Sequence, residues 1–270
     1  MNILNAVVLI LYCVTTVIYI RYFITRKIKT AFAARIVLVL SILVHGILLA
    51  FFVRSAQRLP LTTLFEVLTT LTFIFALIYF ALELNIRDAS MGVIISPLMV
   101  IFQAIASVGL EPAKSVSPIL NNLPFHGHVL FMIIAYASFT IAFIASLFHV
   151  LLDKEIRRKK LGFFFSRLPS LELLDKMNLT AVVLGFIFAT AGMLWGFMMA
   201  FHVWQVAFPL DAKFISFVLI WAIYLFLIIA RTRLGWRGKR SAWISIVGFA
   251  FILFSFLVIS LYFTQRHLYL

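Results

Sequence analysis

Histidine is the residue type in this sequence best suited to bind a metal, because neutral imidazole is the commonest metal ligand in proteins. The chain has six histidines but a single cysteine, Cys13. One cysteine excludes a disulfide framework, a CxxC redox pair and a thiolate metal site, so thiol chemistry by the chain itself is not expected. Two imidazoles held by facing helix ends could clamp a heme iron from both sides. Zinc is the alternative metal, although the sequence contains no HExxH motif to favour it.

The composition places these histidines in a membrane protein. Of the 270 residues, 64% are hydrophobic and only 12% are charged. Soluble domains are about 45–50% apolar and about a quarter charged, so a soluble fold of this chain would expose large apolar patches. A spanning helix needs about 20 mainly apolar residues. Eight stretches meet this requirement, at about 3–22, 36–53, 62–82, 91–110, 128–152, 178–201, 212–230 and 242–263. We therefore expect an all-α polytopic membrane protein with about eight transmembrane helices in one membrane domain, 1–270.

The positive charge of the chain predicts its orientation in the bilayer. Lys and Arg number 23 against 9 Asp and Glu, which gives a net charge of +14. Nucleic-acid binding requires a basic face on a soluble module, so the lipid bilayer and not a nucleic acid is the expected partner. Most of the Lys and Arg residues fall in the loops after the first, third, fifth and seventh stretches. By the positive-inside rule these loops are cytoplasmic and both termini lie outside. The basic cytoplasmic loop at about 153–177 is expected to form a short interfacial helix.

This topology separates the histidines by depth. Four of the six fall at the outer ends of helices: His126, His128, His202 and His267. His45 lies inside the second stretch, and His149 lies near the cytoplasmic end of the fifth. The outer face is therefore the expected place for a site built from several imidazoles.

An aromatic and apolar outer loop, at about 201–213, lies beside these histidines. It contains Trp204, Phe208 and Asp211, and Trp221 follows in the next stretch. Aromatic residues at a membrane interface usually form a belt, and composition favours that interpretation. A platform for the flat face of a porphyrin is the alternative.

Several segments, taken in order, resemble a known family. They are His45-Gly, Leu59-Pro60-Leu61-Thr62-Thr63-Leu64-Phe65-Glu66, His128-Val-Leu-Phe-Met-Ile-Ile-Ala-Tyr136, Leu174-Asp175-Lys176 with Gly192-Met-Leu-Trp195-Gly196, Arg233-Leu-Gly-Trp236-Arg-Gly238-Lys239-Arg240, and His267. As an ordered set over about 40–270 they resemble the heme-handling cytochrome c assembly proteins, the CcsA/CcmC group and its HemX-like relatives.

The resemblance implies a heme site. It implies that His128 and His267 bind heme b axially, while the outer loop with Trp204, Phe208, Asp211 and Trp221 shields the heme and leaves its vinyl edges accessible to cysteine thiols of an apocytochrome c. Members of this family commonly work with a second membrane assembly protein. His45 would hold heme deeper in the membrane, and a structural hydrogen bond to a neighbouring helix is an equal alternative for this residue.

The tryptophan signature of the family, Trp-Gly-x-x-Trp-x-Trp-Asp-Pro-x-x-x-Trp, is only partly present. Trp204 and Asp211 match it, but Phe208 and Leu210 stand where further tryptophans would be, and Ala212 replaces the proline. This departure favours the HemX-like branch. The expected function is heme handling for cytochrome c biogenesis in a bacterial cytoplasmic membrane, and the alternative is a HemX-like regulator or scaffold of heme biosynthesis. No catalytic residue is assigned, and whether the chain forms part of a heme-attachment synthase is left open.

Glu66 is the remaining ionisable group of interest, four residues into the third stretch. It is interpreted as an interfacial carboxylate. Pairing with an outer arginine and support of His45 are the alternatives.

Overall fold

The computed structural model describes residues 1–111, 123–159, 161–204 and 212–255, with the backbone alone at 200, 202–204, 212 and 213. Eight α-helices occupy these ranges: α1 Asn2–Thr25, α2 Ile28–Ala56, α3 Leu64–Ile86, α4 Gly92–Ser107, α5 Leu123–Arg157, α6 Leu171–Trp204, α7 Ala212–Arg233 and α8 Lys239–Phe254. Each overlaps one of the eight apolar stretches, so the all-α prediction is confirmed.

Six of the helices, α1, α2, α3, α5, α6 and α7, are long and apolar enough to cross a membrane. Helix α4 is shorter, with 16 residues. The chain is therefore a multi-pass membrane protein. Its orientation, with both termini outside, stays a prediction from the charge pattern.

The connection between α5 and α6 differs from the predicted interfacial helix at 153–177. Helix α5 continues to Arg157, and α6 already begins at Leu171. Within the described part of the connection, the only regular element is a short 3-10 turn, Phe165–Arg167. Pro169 disfavours helical backbone at the preceding residue, and the Ser170 hydroxyl accepts a hydrogen bond from the Leu173 N–H at 3.3 Å. The start of α6 is thus capped locally.

The chain packs as two compact units. The first comprises Met1–Ala137 and Gly162–Pro169, and the second comprises Ser138–Leu161 and the chain from Ser170 onward. These two units describe how the helices pack, and they do not test the prediction of one membrane domain over 1–270.

In the first unit, α1 packs against α2 and α4, and α3 packs against α2 and α4. The crossing of α1 and α4 is very close. A Cβ atom placed on Gly92 would lie 2.1 Å from the ring of Tyr19, so only glycine fits at this crossing.

In the second unit, α7 packs against α6 and α8. The rings of Phe139 and Tyr224 stack with centroids 3.7 Å apart and join α5 to α7. Phe139 also covers Gly185 of α6, where a Cβ atom would lie 2.6 Å from its ring. Aromatic packing over small residues is how these helices approach each other in a medium that offers no hydrophobic driving force between them.

Candidate heme-binding site

His128 lies near the start of α5, five residues after Leu123. At 1.5 Å per residue this places it about 8 Å from the beginning of the helix. Its side chain is half-buried. The other outer residues predicted for the site, His267, Phe208 and Asp211, lie outside the described residues, as does the side chain of Trp204, the last residue of α6.

Trp221 lies in α7 and turns its indole toward α6. Its N–H donates a hydrogen bond to the Thr190 hydroxyl at 2.9 Å, and its ring stacks on Phe186 with centroids 5.4 Å apart. A buried indole normally finds such a partner. The α6 helix therefore fixes the orientation of this predicted site residue.

His45 is completely buried in the first unit. Eleven residues separate it from the end of α2 at Ala56, which is about 16 Å along the helix. Its Nδ1 lies 3.0 Å from the Tyr12 hydroxyl, and its Nε2 lies 3.0 Å from the Thr69 hydroxyl. Of the two roles that the sequence left open, this geometry favours the structural hydrogen bond.

Glu66 forms a buried ion pair that sequence reasoning did not favour. The Nη1 and Nη2 atoms of Arg58 donate hydrogen bonds to the Glu66 carboxylate at 2.7 and 2.8 Å. The backbone N–H and the hydroxyl of Thr62 donate to the same carboxylate, at 2.9 and 2.8 Å. Hydrogen bonds to Glu66 raise the pKa of Arg58 above its ordinary value, against the opposing effect of burial. The four hydrogen bonds donated to the Glu66 carboxylate stabilise its charged form, and they hold segment 58–63 against the start of α3.

A signal for this pair was present in the sequence. Arg58 precedes Glu66 by eight residues, and Thr63 between them caps α3 by accepting the Glu66 N–H at 3.2 Å. A capping threonine three residues before a glutamate is a known start signal for a helix. It places Glu66 in the first turn, where the preceding segment can reach it.

The second unit contains its own ion pair at the predicted cytoplasmic ends of its helices. Asp175 of α6 accepts two hydrogen bonds from Arg231 of α7, at 2.8 and 2.5 Å. It also accepts the backbone N–H of Gly238 at 3.0 Å. Gly238 has φ of +61°, a left-handed conformation that favours glycine. Two segments quoted for the family resemblance, those of Asp175 and Gly238, therefore meet at this carboxylate.

His149, near this cluster, is a poor candidate for an outer site. Its side chain is buried, with 6% exposed. Its Nδ1 lies 3.1 Å from the carbonyl oxygen of Leu171 and so carries the proton in that hydrogen bond. This contact ties the end of α5 to the start of α6.

The described residues differ in how well they fit a heme. In the part of the chain that the structure describes, no group of three His, Cys, Asp or Glu side chains could hold a metal ion, so a zinc site of that kind is not found there. A heme iron can instead be held between two imidazoles, one on each side. The imidazole of His128 is half-buried near a helix end, so His128 stays a candidate ligand. His45 does not fit this arrangement, because both ring nitrogens face hydroxyl groups.

Comparison with known proteins identifies the relatives of the chain. A family model described as "Cytochrome C assembly protein" matches residues 60–267. The chain is 28% identical to the cytochrome c biogenesis protein CcsA of Chlamydomonas reinhardtii over 253 residues, which covers 90% of the chain and 70% of that protein. It is 28% identical to CcsA of Heterosigma akashiwo over 225 residues, 70% of each chain.

A relative with another name is similar over a larger share of its own length. The chain is 27% identical to protein HemX of Brevibacillus brevis over 227 residues, which covers 81% of the chain and 82% of HemX. The family model spans about three quarters of the sequence, from the segment before α3 to His267. The chain therefore belongs to the cytochrome c assembly protein family.

Proposed function

We propose that this chain binds heme b at the outer face of a bacterial cytoplasmic membrane and functions in cytochrome c biogenesis. The observation that carries the proposal is the family match over 60–267, which includes His128, the outer loop and His267. The heme would be delivered to an apocytochrome c, together with a second membrane assembly protein.

The predicted outer residues have different roles in this proposal. His128 and His267 would hold the heme iron, and Trp204 and Phe208 would provide apolar cover. Trp221 supports the site from α7, where Thr190 and Phe186 hold its ring. Asp211 belongs to the same loop. Bound between two imidazoles, heme offers saturated iron, which limits reaction with oxygen while its vinyl groups stay accessible.

The double variant His128→Ala with His267→Ala is expected to lose the heme absorption band of the purified protein. Removing even an outer partner of a metal ligand lowers metal affinity about 10–100-fold, so removal of both direct ligands should reduce heme affinity at least that much. The measurement is the absorption spectrum in detergent after heme loading.

His126→Ala is the matched control for this experiment, because it removes an imidazole from the same helix two residues away. It should retain the wild-type spectrum. A wild-type protein that stays colourless after heme loading, or a double variant with unchanged heme, would contradict the ligand assignment.

A second function, regulation or scaffolding of heme biosynthesis without chemistry, is supported by two observations. The HemX relative is matched over 82% of its length, and Phe208 and Leu210 replace tryptophans of the family signature. Deleting the gene distinguishes the two functions. Loss of covalent heme from c-type cytochromes supports the assembly function, whereas normal cytochromes with altered heme precursors support regulation.

A further inference from the structure

A continuous chain of polar side chains crosses the interior of the first unit. Tyr12 of α1 contacts His45 of α2, and His45 contacts Thr69 of α3, both at 3.0 Å. Thr69 donates to Gln103 of α4 at 3.1 Å, and Gln103 donates to Asn5 of α1 at 2.8 Å. Tyr12, His45, Thr69 and Gln103 are completely buried, and Asn5 is 8% exposed. The chain therefore joins four helices without contact with water along most of its length.

The orientations of the Gln103 and Asn5 amides set the direction of the hydrogen bonds in this chain. The amide nitrogen of Gln103 donates to Asn5, so its amide oxygen is the acceptor for the Thr69 hydroxyl proton. A hydroxyl has one proton and two lone pairs. Since Thr69 has used its proton, it must accept from His45, and the Nε2 of His45 must carry a hydrogen. In the neutral imidazole, Nδ1 is then the acceptor, and the Tyr12 hydroxyl donates to it.

This arrangement leaves His45 no lone pair for a metal. A histidine ligand gives the lone pair of a ring nitrogen to the iron, and the single available pair of His45 already accepts the Tyr12 proton. The ring is also enclosed on its sides by Tyr12 and Phe73, with centroids 5.7 and 5.4 Å away. Binding of iron would require breaking a hydrogen bond and separating packed helices.

We infer that His45 is not a heme ligand but the central node of a hydrogen-bonded chain that fixes α1, α2, α3 and α4 against each other. The consequence of this inference for heme rests on the proposed function. Heme bound to the protein would be confined to the outer histidines, with no second heme at His45. An unsatisfied polar group in a bilayer is costly. Because His45 satisfies Tyr12 and Thr69 and the hydrogen bonds continue to Gln103 and Asn5, the whole set selects one register of the four helices.

The variant His45→Gln distinguishes the two possible roles of this histidine, a hydrogen-bonding node and a heme ligand. The amide oxygen can accept from Tyr12 and the amide nitrogen can donate to Thr69, as the imidazole does, but the amide does not replace an imidazole as an axial ligand of heme iron. Leucine at the same position removes both roles. The experiment therefore compares His45→Gln and His45→Leu, first as heme-free protein by thermal unfolding in detergent.

For the heme-free protein, His45→Gln is expected to melt within a few degrees of the wild type. His45→Leu is expected to melt about 10 °C lower, because it removes the acceptor of the Tyr12 hydroxyl and the donor to the Thr69 oxygen. If His45→Leu fails to fold, the node role is supported provided that His45→Gln folds. Equal melting temperatures of wild type and His45→Leu, or equal loss in both variants, would overturn the inference.

Heme loading supplies the second measurement. His45→Gln should bind the same amount of heme per folded protein as the wild type. A lower heme-to-protein ratio in His45→Gln at an unchanged melting temperature would identify His45 as a ligand and overturn the inference. A wild type that binds no heme would instead refute the proposed function, while the melting temperatures would still decide the role of His45.

Discussion

Replacing Glu66 with leucine is expected to lower the free energy of unfolding by about 3–5 kcal/mol, because the variant leaves a buried cation without its counter-charge. The side chains of Arg58 and Glu66 are 4% and 0% exposed. The Glu66 carboxylate also binds the backbone N–H and the hydroxyl of Thr62, so the variant leaves these donors without an acceptor as well. Thermal unfolding in detergent should show a loss of about 10 °C in melting temperature.

The double variant Arg58→Leu with Glu66→Leu provides the control. Replacing both partners of a buried ion pair by apolar residues is often neutral or stabilising. The double variant should therefore melt at a higher temperature than the Glu66 single variant. Wild-type melting of Glu66→Leu, or a double variant less stable than the single, would contradict the buried ion pair.

The second large effect is expected for Asp175→Ala in the other unit. This variant removes the counter-charge of Arg231, whose side chain is 8% exposed, and the acceptor of the Gly238 N–H. We expect a loss of about 2–4 kcal/mol in the free energy of unfolding. The α7–α8 connection should also open more often, so trypsin should cleave at Arg233 and Arg237 faster than in the wild type.

Asp153→Ala is the matched control for Asp175→Ala. Asp153 pairs with Arg157 at 3.0 Å and with Lys239 at 3.8 Å, but these two partner side chains are 72% and 53% exposed. Exposed ion pairs contribute little to stability, so this variant should leave the melting temperature and the rate of cleavage nearly unchanged. Similar behaviour of the two variants would indicate that Asp175 has no special role in holding the connection.

The positions of the helices were predictable from the sequence, whereas several of their ends were not. The fifth stretch was placed at about 128–152, but α5 extends from Leu123 to Arg157. Hydropathy marks the part of a helix that suits hydrocarbon. It does not detect the polar residues that follow the apolar stretch in α5. The helical hydrogen bonds continue through these residues, and Asp153 and Arg157 pair there one turn apart.

The residue types proposed for the candidate site come from the sequence and stay a prediction, whereas the contacts of the described residues could be predicted only in part. Six histidines and their depths could be obtained by counting residues along helices. The partner of Glu66 and the partners of His45 could not, because they depend on which helix faces meet. Thr69 and Gln103 are ordinary polar residues in apolar segments, and a one-dimensional pattern does not show that they face one imidazole.

The hydrogen-bonded side chains around His45 also limit the order in which the contacts of the first four helices can form during synthesis. The contact between Tyr12 and His45 can form as soon as α1 and α2 have entered the membrane. The Nε2 proton of His45 has no acceptor until Thr69 is synthesised. Among the described residues, the side-chain oxygen of Asn5 accepts hydrogen bonds from Gln103 and Ser107 of α4. During co-translational insertion these polar groups of α1 and α2 therefore lack their native partners at least until α3 and α4 have been synthesised and have packed against them.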